Sequence, residues 1–139
     1  MSKINDSAFL CRGKSVETNE WVEGYYIPSV FTSPSTGEKV IRIFLGTVEK
    51  HVEVIPETIC IYSGHEDYLG KKIYSGDILR DDFNDELEIV LWKNDHFVVV
   101  SKSYEWDAYE CKLQYREIVG NIFDNSETAG EILSGYSEK

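Results

Sequence analysis

The side chains that could carry out chemistry are scattered along the chain. His51, His65 and His96 stand far apart, although His65-Glu66-Asp67 and Asp95-His96 each place candidate metal ligands side by side. A zinc site needs three or four ligands in matched geometry, and neither H-x-x-H nor H-E-x-x-H occurs. No metal is expected. Cys11, Cys60 and Cys111 are odd in number and form no C-x-x-C pair. They read as small buried hydrophobes in a reducing compartment rather than as a disulfide framework or a reactive thiol. The glycines between Gly64 and Gly76 do not make G-x-x-x-x-G-K-[ST], and no serine sits in a G-x-S-x-G elbow.

Two acid–base features stand out. Asp77 follows Gly76 at the entrance to an apolar run. The pair predicts a structural turn: Gly76 takes a positive φ, and the Asp77 carboxylate accepts backbone N–H bonds. Arg12 and Lys14 flank Gly13 in an acidic chain. They are expected to pair with carboxylates rather than to bind an anion. No catalytic residue and no cofactor site follow, so the chain is not expected to be an enzyme.

The stretch Tyr104-Glu105-Trp106-Asp107-Ala108-Tyr109-Glu110 interleaves aromatics with acids. As an exposed loop it would be a contact surface, with Tyr104, Trp106 and Tyr109 the candidate interaction residues. As a strand it would turn Tyr104, Trp106 and Ala108 toward one core-facing side.

The elements that must position these residues read as strands. Short apolar runs are punctuated throughout by Gly, Asn, Asp and Pro, the rhythm of an all-β chain. Strands are predicted over 8–12, 20–28, 39–45, 51–55, 58–62 and 117–123, with another entered through the tight turn at Gly76. Ser33 to Gly37 reads as a turn, and Asn94-Asp95 as a hairpin turn followed by a strand from Phe97 to Ser101. Leu87, Ile89 and Leu91 alternate with Glu88, Val90 and Trp92. A short C-terminal helix is expected after Asn125, capped by Ser126 and burying Ala129, Ile132, Leu133 and Tyr136. The 139 residues suit one domain, with an N-terminal sheet over 1–63 and a barrel plus helix over 64–139.

Composition excludes several functions. The chain carries 25 acidic against 14 basic residues, a net charge of −11, and no basic run. Nucleic-acid binders release counterions through clustered Lys and Arg, so no nucleic-acid partner is expected. No run approaches the roughly 20 apolar residues that span a bilayer, and the N-terminus lacks a signal-peptide core. The expected location is the cytosol, away from membranes.

Four stretches resemble one family. Phe9, Arg12, Gly13, Lys14, Trp21, Val22, Gly24 and Tyr25 fit F-x-x-R-G-K…W-V-x-G-Y. Val54-Ile55-Pro56-Glu57-Thr58 is identical to V-I-P-E-T. Tyr62-Ser63-Gly64…Asp67…Gly70…Ile73-Tyr74-Ser75-Gly76-Asp77-Ile78 is similar to [YF]-T-G-x-x-D-x-x-G-x-x-I-[YF]-x-G-D-I. Ile118 to Asn125 is similar to V-I-G-N-I-[YF]-E-N. In this order the chain resembles the YopX family of phage and prophage proteins. Ile61 and Leu69 depart from it, standing where Gln and Asn are common. The resemblance implies a mainly β fold with an SH3-like barrel and an additional N-terminal sheet. It implies a phage or prophage gene and does not imply an activity.

The functional expectation is a non-enzymatic module that binds a protein partner. The alternative is an acidic DNA mimic that inhibits a host nucleic-acid enzyme. Eighteen aromatics (nine Tyr, six Phe and three Trp) also suggest a homo-oligomer, joined through Trp21 to Ile27 or through Tyr104 to Tyr109.

Overall fold

A computed structural model describes residues 9–81 and 85–137. The chain is mainly β, with two antiparallel sheets and one C-terminal helix. It divides into two compact units between Ile61 and Tyr62.

The first unit begins with β1 (Leu10–Lys14), β2 (Trp21–Thr32), β3 (Lys39–Gly46) and β4 (His51–Val54). These pair in the order β4-β3-β2-β1, and the start of β5 (Cys60–Glu66) adds to β1 through Cys11 opposite Ile61 and Arg12 opposite Cys60. Pro56 ends β4's run and opens a single 3₁₀ turn, because proline fixes φ and has no N–H to give a ladder. The turn is tied down by Thr58, whose hydroxyl donates to the Ile55 carbonyl at 2.7 Å and accepts the Lys14 N–H at 2.8 Å. The core is Cys11, Ile43, Leu45 and Val54, with Val22, Ile59 and Ile61 packed against it. At Gly24 the strands approach closely. A Cβ there would lie 2.8 Å from the Gly46 carbonyl oxygen, so only glycine fits without moving backbone.

The second unit pairs the rest of β5 with β6 (Lys72–Tyr74). It then builds a five-stranded sheet in the order β10-β9-β8-β7-β11. The strands are β7 (Asp77–Asp81), β8 (Leu87–Lys93), β9 (His96–Val100), β10 (Glu105–Asp107) and β11 (Arg116–Asn121). Both faces of its central strands are covered. Ile78, Ile89, Val98 and Val100 pack against Ala129 and Ile132 of α1 (Ser126–Ser137). On the opposite face Leu79, Val90 and Val99 pack with Ile73, Ala108 and Leu113. Strands buried on both sides read as near-continuous apolar runs, so the simple alternation along Leu87 to Trp92 understates their burial. The sheet is open: β10 and β11 stand at its two ends, and neither sheet closes on itself among the described residues.

Three local expectations need correction. Ser126 does not precede the helix; it is the first helical residue. Asn125 flanks it instead, accepting the Ala129 N–H at its carbonyl and the Asn121 N–H at its side chain. Second, β5 continues to Glu66, past the end at Tyr62 of the strand expected over 58–62. Third, Tyr104, Trp106 and Ala108 do not share a buried side: Ala108 is buried, yet Trp106 is 50% exposed. They lie in or beside the edge strand β10, where the Trp106 ring is left half exposed.

Gly76 has φ of +89°, and its N–H donates to the Val90 carbonyl at 2.6 Å. Only glycine enters this conformation without strain. Gly76→Val and Gly24→Ala should each cost more than ~1 kcal/mol, the first by backbone strain and the second by backbone collision. Thermal unfolding reads this directly, and an unchanged Tm in either variant would contradict the local account.

Candidate functional site

In the second unit Arg116 reaches the buried Glu88, with Asp81 close by. The Glu88 carboxylate lies on β8 with no exposed surface. A buried carboxylate is tolerated only when its charge and lone pairs are met. Arg116, the first residue of β11, supplies this through Nε to Oε1 at 2.8 Å and Nη2 to Oε2 at 3.3 Å. The Tyr104 hydroxyl donates to Oε2 at 2.5 Å. Asp81 at the end of β7 stands 3.6 Å from Arg116 Nη2. Burial opposes the Arg116 charge, but its hydrogen bonds and electrostatic contact with Glu88 outweigh that, and the guanidinium is held above its ordinary pKa.

The loop over this cluster is built by local side-chain bonds. Ser101 Oγ accepts the N–H groups of Ser103 and Tyr104 at 3.0 and 3.1 Å, which turns Tyr104 inward. Asp107 Oδ1 accepts the Tyr109 N–H at 2.9 Å and starts the turn that carries Tyr109 out. Leu113 then anchors a 3₁₀ turn in the core and delivers Arg116. A cleft of about 550 Å³ results, walled by Tyr104, Trp106 and Tyr115, with Glu110, Lys112 and Arg116 also lining it. Tyr104 and Trp106 meet edge to face at 5.9 Å.

Cys111 also lines the cleft. Burial, followed by the Glu88 charge, pushes its thiol up to about 11, with Arg116 pulling the other way. A thiol so shifted is protonated at neutral pH and is a poor nucleophile. Cys11 behaves alike: burial, then nearby Cys60, raises it to about 11.

Of the three residues singled out from sequence, Tyr104 turns inward to Glu88, while Trp106 is half exposed and Tyr109 is 88% exposed. Gly76 and Asp77 make the expected turn: Asp77 is buried, and its Oδ2 accepts the Tyr74 N–H at 2.8 Å. Arg12 and Lys14 lie over the Trp21 ring, 4.8 and 5.3 Å from its centroid. His51, His65 and His96 stay exposed, and among the described residues no three His, Cys, Asp or Glu side chains gather to hold a metal ion. No described helix is long and apolar enough to cross a membrane.

Sequence reasoning did not single out Glu88, Arg116 or Tyr115, nor assign Asp67 a role. Asp67 is buried, accepting N–H bonds from Leu69 and Lys71, both at 2.9 Å, and from Ile118 at 3.1 Å. The available signal was a glutamate inside the otherwise apolar run Leu87-Glu88-Ile89-Val90-Leu91.

Fold and site together define a small two-sheet β protein with an aromatic-walled cleft beside a buried Glu–Arg pair. The chain belongs to the YopX family: the family described as YopX protein matches residues 10–128. Among curated proteins no match is found.

Two measurements test the cluster. Arg116→Met strands the Glu88 charge in the core and should cost about 3–5 kcal/mol by chemical denaturation, with Glu88→Leu/Arg116→Met recovering part of it. A double variant as unstable as the sum of both singles would show that the two groups are not coupled. Alkylation at pH 8 should be roughly 100-fold slower at Cys111 in the folded protein than in the denatured chain, because its folded pKa is raised. By linkage, the raised Cys11 and Cys111 values favour the folded state below the unfolded thiol pKa. That contribution should be lost as pH rises from about 9 to about 11.

Proposed function

We propose that this protein is a non-enzymatic accessory factor of a phage or prophage, acting in the bacterial cytosol by binding a protein partner. The contact surface is the aromatic segment around the cleft. The observation that carries the reading is the exposure of Trp106, Tyr109 and Tyr115, at 50%, 88% and 52%. Tyr and Trp dominate binding hot spots because they bury much area with few rotatable bonds. The segment that bears them is held by the buried Glu88–Arg116 pair, so little order must be gained on binding.

The charge chemistry beneath them favours binding over catalysis. Glu88 has both oxygens engaged by Arg116 and Tyr104, and the Cys111 thiol is raised well above neutrality. A general base or nucleophile needs a free lone pair near working pH. The phage origin rests on the family, as does an SH3-like reading of the five-stranded sheet. The net charge of −11 favours a partner with a basic surface and disfavours nucleic acid. A DNA mimic draws less support, since Asp67, Asp77, Asp81 and Glu88 are buried inside the second unit.

The test is capture from lysogenic or infected cells with the tagged wild-type chain and with Trp106→Ala/Tyr109→Ala. The wild type should enrich a specific protein, and the double variant should lose it by at least about tenfold while keeping its Tm. Rising salt should slow capture. Equal enrichment by both forms would overturn the assignment of this surface.

A further inference from the structure

The outer half of the β2–β3 hairpin is a two-stranded arm. Beyond Pro28 and Ile43 neither strand has another neighbour among the described residues: on the β1 side the last bond runs from the Tyr26 N–H to the Phe9 carbonyl, and β4 pairs only from Ile43 onward. Such a ribbon is only marginally stable alone in water. This one nevertheless exposes apolar pairs on both faces. Val30 lies opposite Ile41 (63% and 65% exposed), and Phe31 opposite Val40 (43% and 48%). Phe31 is not loose; its ring centroid is 6.3 Å from that of Phe44, and the Arg42 guanidinium lies 4.9 Å over it.

Among the described residues the main chain of the arm is also open on the β2 side. The Ser33 N–H donates to the Glu38 carbonyl at 2.8 Å, which fixes the antiparallel alternation. Phe31 and Ser29 then point their N–H and C=O groups at β3, while Val30 and Thr32 point theirs outward. Pro28 falls in the outward class, where its missing N–H breaks no bond. Natural edges are usually guarded by charge, yet Ser29-Val30-Phe31-Thr32 carries none.

We propose that this arm joins two copies of the chain, edge to edge along β2, about a twofold axis through Phe31. Val30 and Thr32 of each copy then exchange main-chain hydrogen bonds with Thr32 and Val30 of the other. Phe31 meets its own equivalent as a closely spaced pair without hydrogen bonds. Charge selects the second copy as occupant. The chain carries −11, so two copies repel over most of their surface. From Gly24 to Thr47, however, there is only Glu38 against Lys39 and Arg42, a net +1. The arm is the place where two such molecules touch without that repulsion, and a basic foreign partner is drawn elsewhere. The surface differs from both sequence expectations: Tyr25 already has strands on either side, and Tyr104 to Tyr109 belongs to the cleft. A contact of one short strand from each copy implies a weak dimer.

Sedimentation velocity of the full chain at increasing concentration tests this. The wild type should pass from monomer to dimer, and added salt should tighten the dimer severalfold by screening the repulsion. Phe31→Lys and Thr32→Pro should each weaken it at least tenfold with the circular dichroism spectrum unchanged, the second by removing only an outward N–H. Tyr109→Ala should leave it intact. A wild type that stays monomeric at about 500 μM at both salt concentrations overturns the proposal. So does a dimer indifferent to both arm variants, or one lost in Tyr109→Ala.

Discussion

A glutamate with no exposed surface sits in the middle of an apolar strand, and the second unit is arranged around satisfying it. Glu88 demands a cation and further donors. Arg116 meets the first demand from β11, and Tyr104 adds a donor from the turn before β10. Those two residues bracket the segment that forms the cleft. The carboxylate therefore fixes both ends of the aromatic surface at once. Leu113 and Ala108, buried between them, close the apolar side of the same loop. Buried ion pairs add little net stability over apolar packing, but they specify which arrangement is adopted.

The residues through which the chain resembles its family do comparable architectural work. Gly24 permits the close approach of β2 and β3. Asp67 gathers three backbone N–H groups, two from its own turn and one from β11. Gly76 and Asp77 form the turn into β7. These positions hold backbone, and none of them faces the cleft. A family signature built on turns and close approaches describes a fold and leaves the aromatic surface free to differ.

Much of this was legible because it is local. Asn94-Asp95 gives the β8–β9 hairpin, with Asn94 at φ of +63°. Ser33 to Gly37 closes β2 on β3. Ala129, Ile132, Leu133 and Tyr136 all face the core as helical spacing requires. What escaped was long-range. Glu88 finds Arg116 28 residues away, and no local pattern marks a strand buried on both faces from one that alternates. The run of β2 through Pro28 also escaped, because proline normally ends a strand. Here its missing N–H points away from β3. The mixed fate of Tyr104 and Trp106, one turned to Glu88 and the other half exposed, follows from the edge position of β10.

The central claim is that the Glu88–Arg116 pair holds the segment from Tyr104 to Tyr115 as a preformed surface. Amide hydrogen exchange in the wild type and in Glu88→Gln measures this most directly. The account predicts that the variant stays folded but loses protection selectively across 104–116, with the strands of the first unit unchanged. Equal protection of that segment in both proteins would contradict it, and would mean that the loop is held by its own turns and by Leu113 alone.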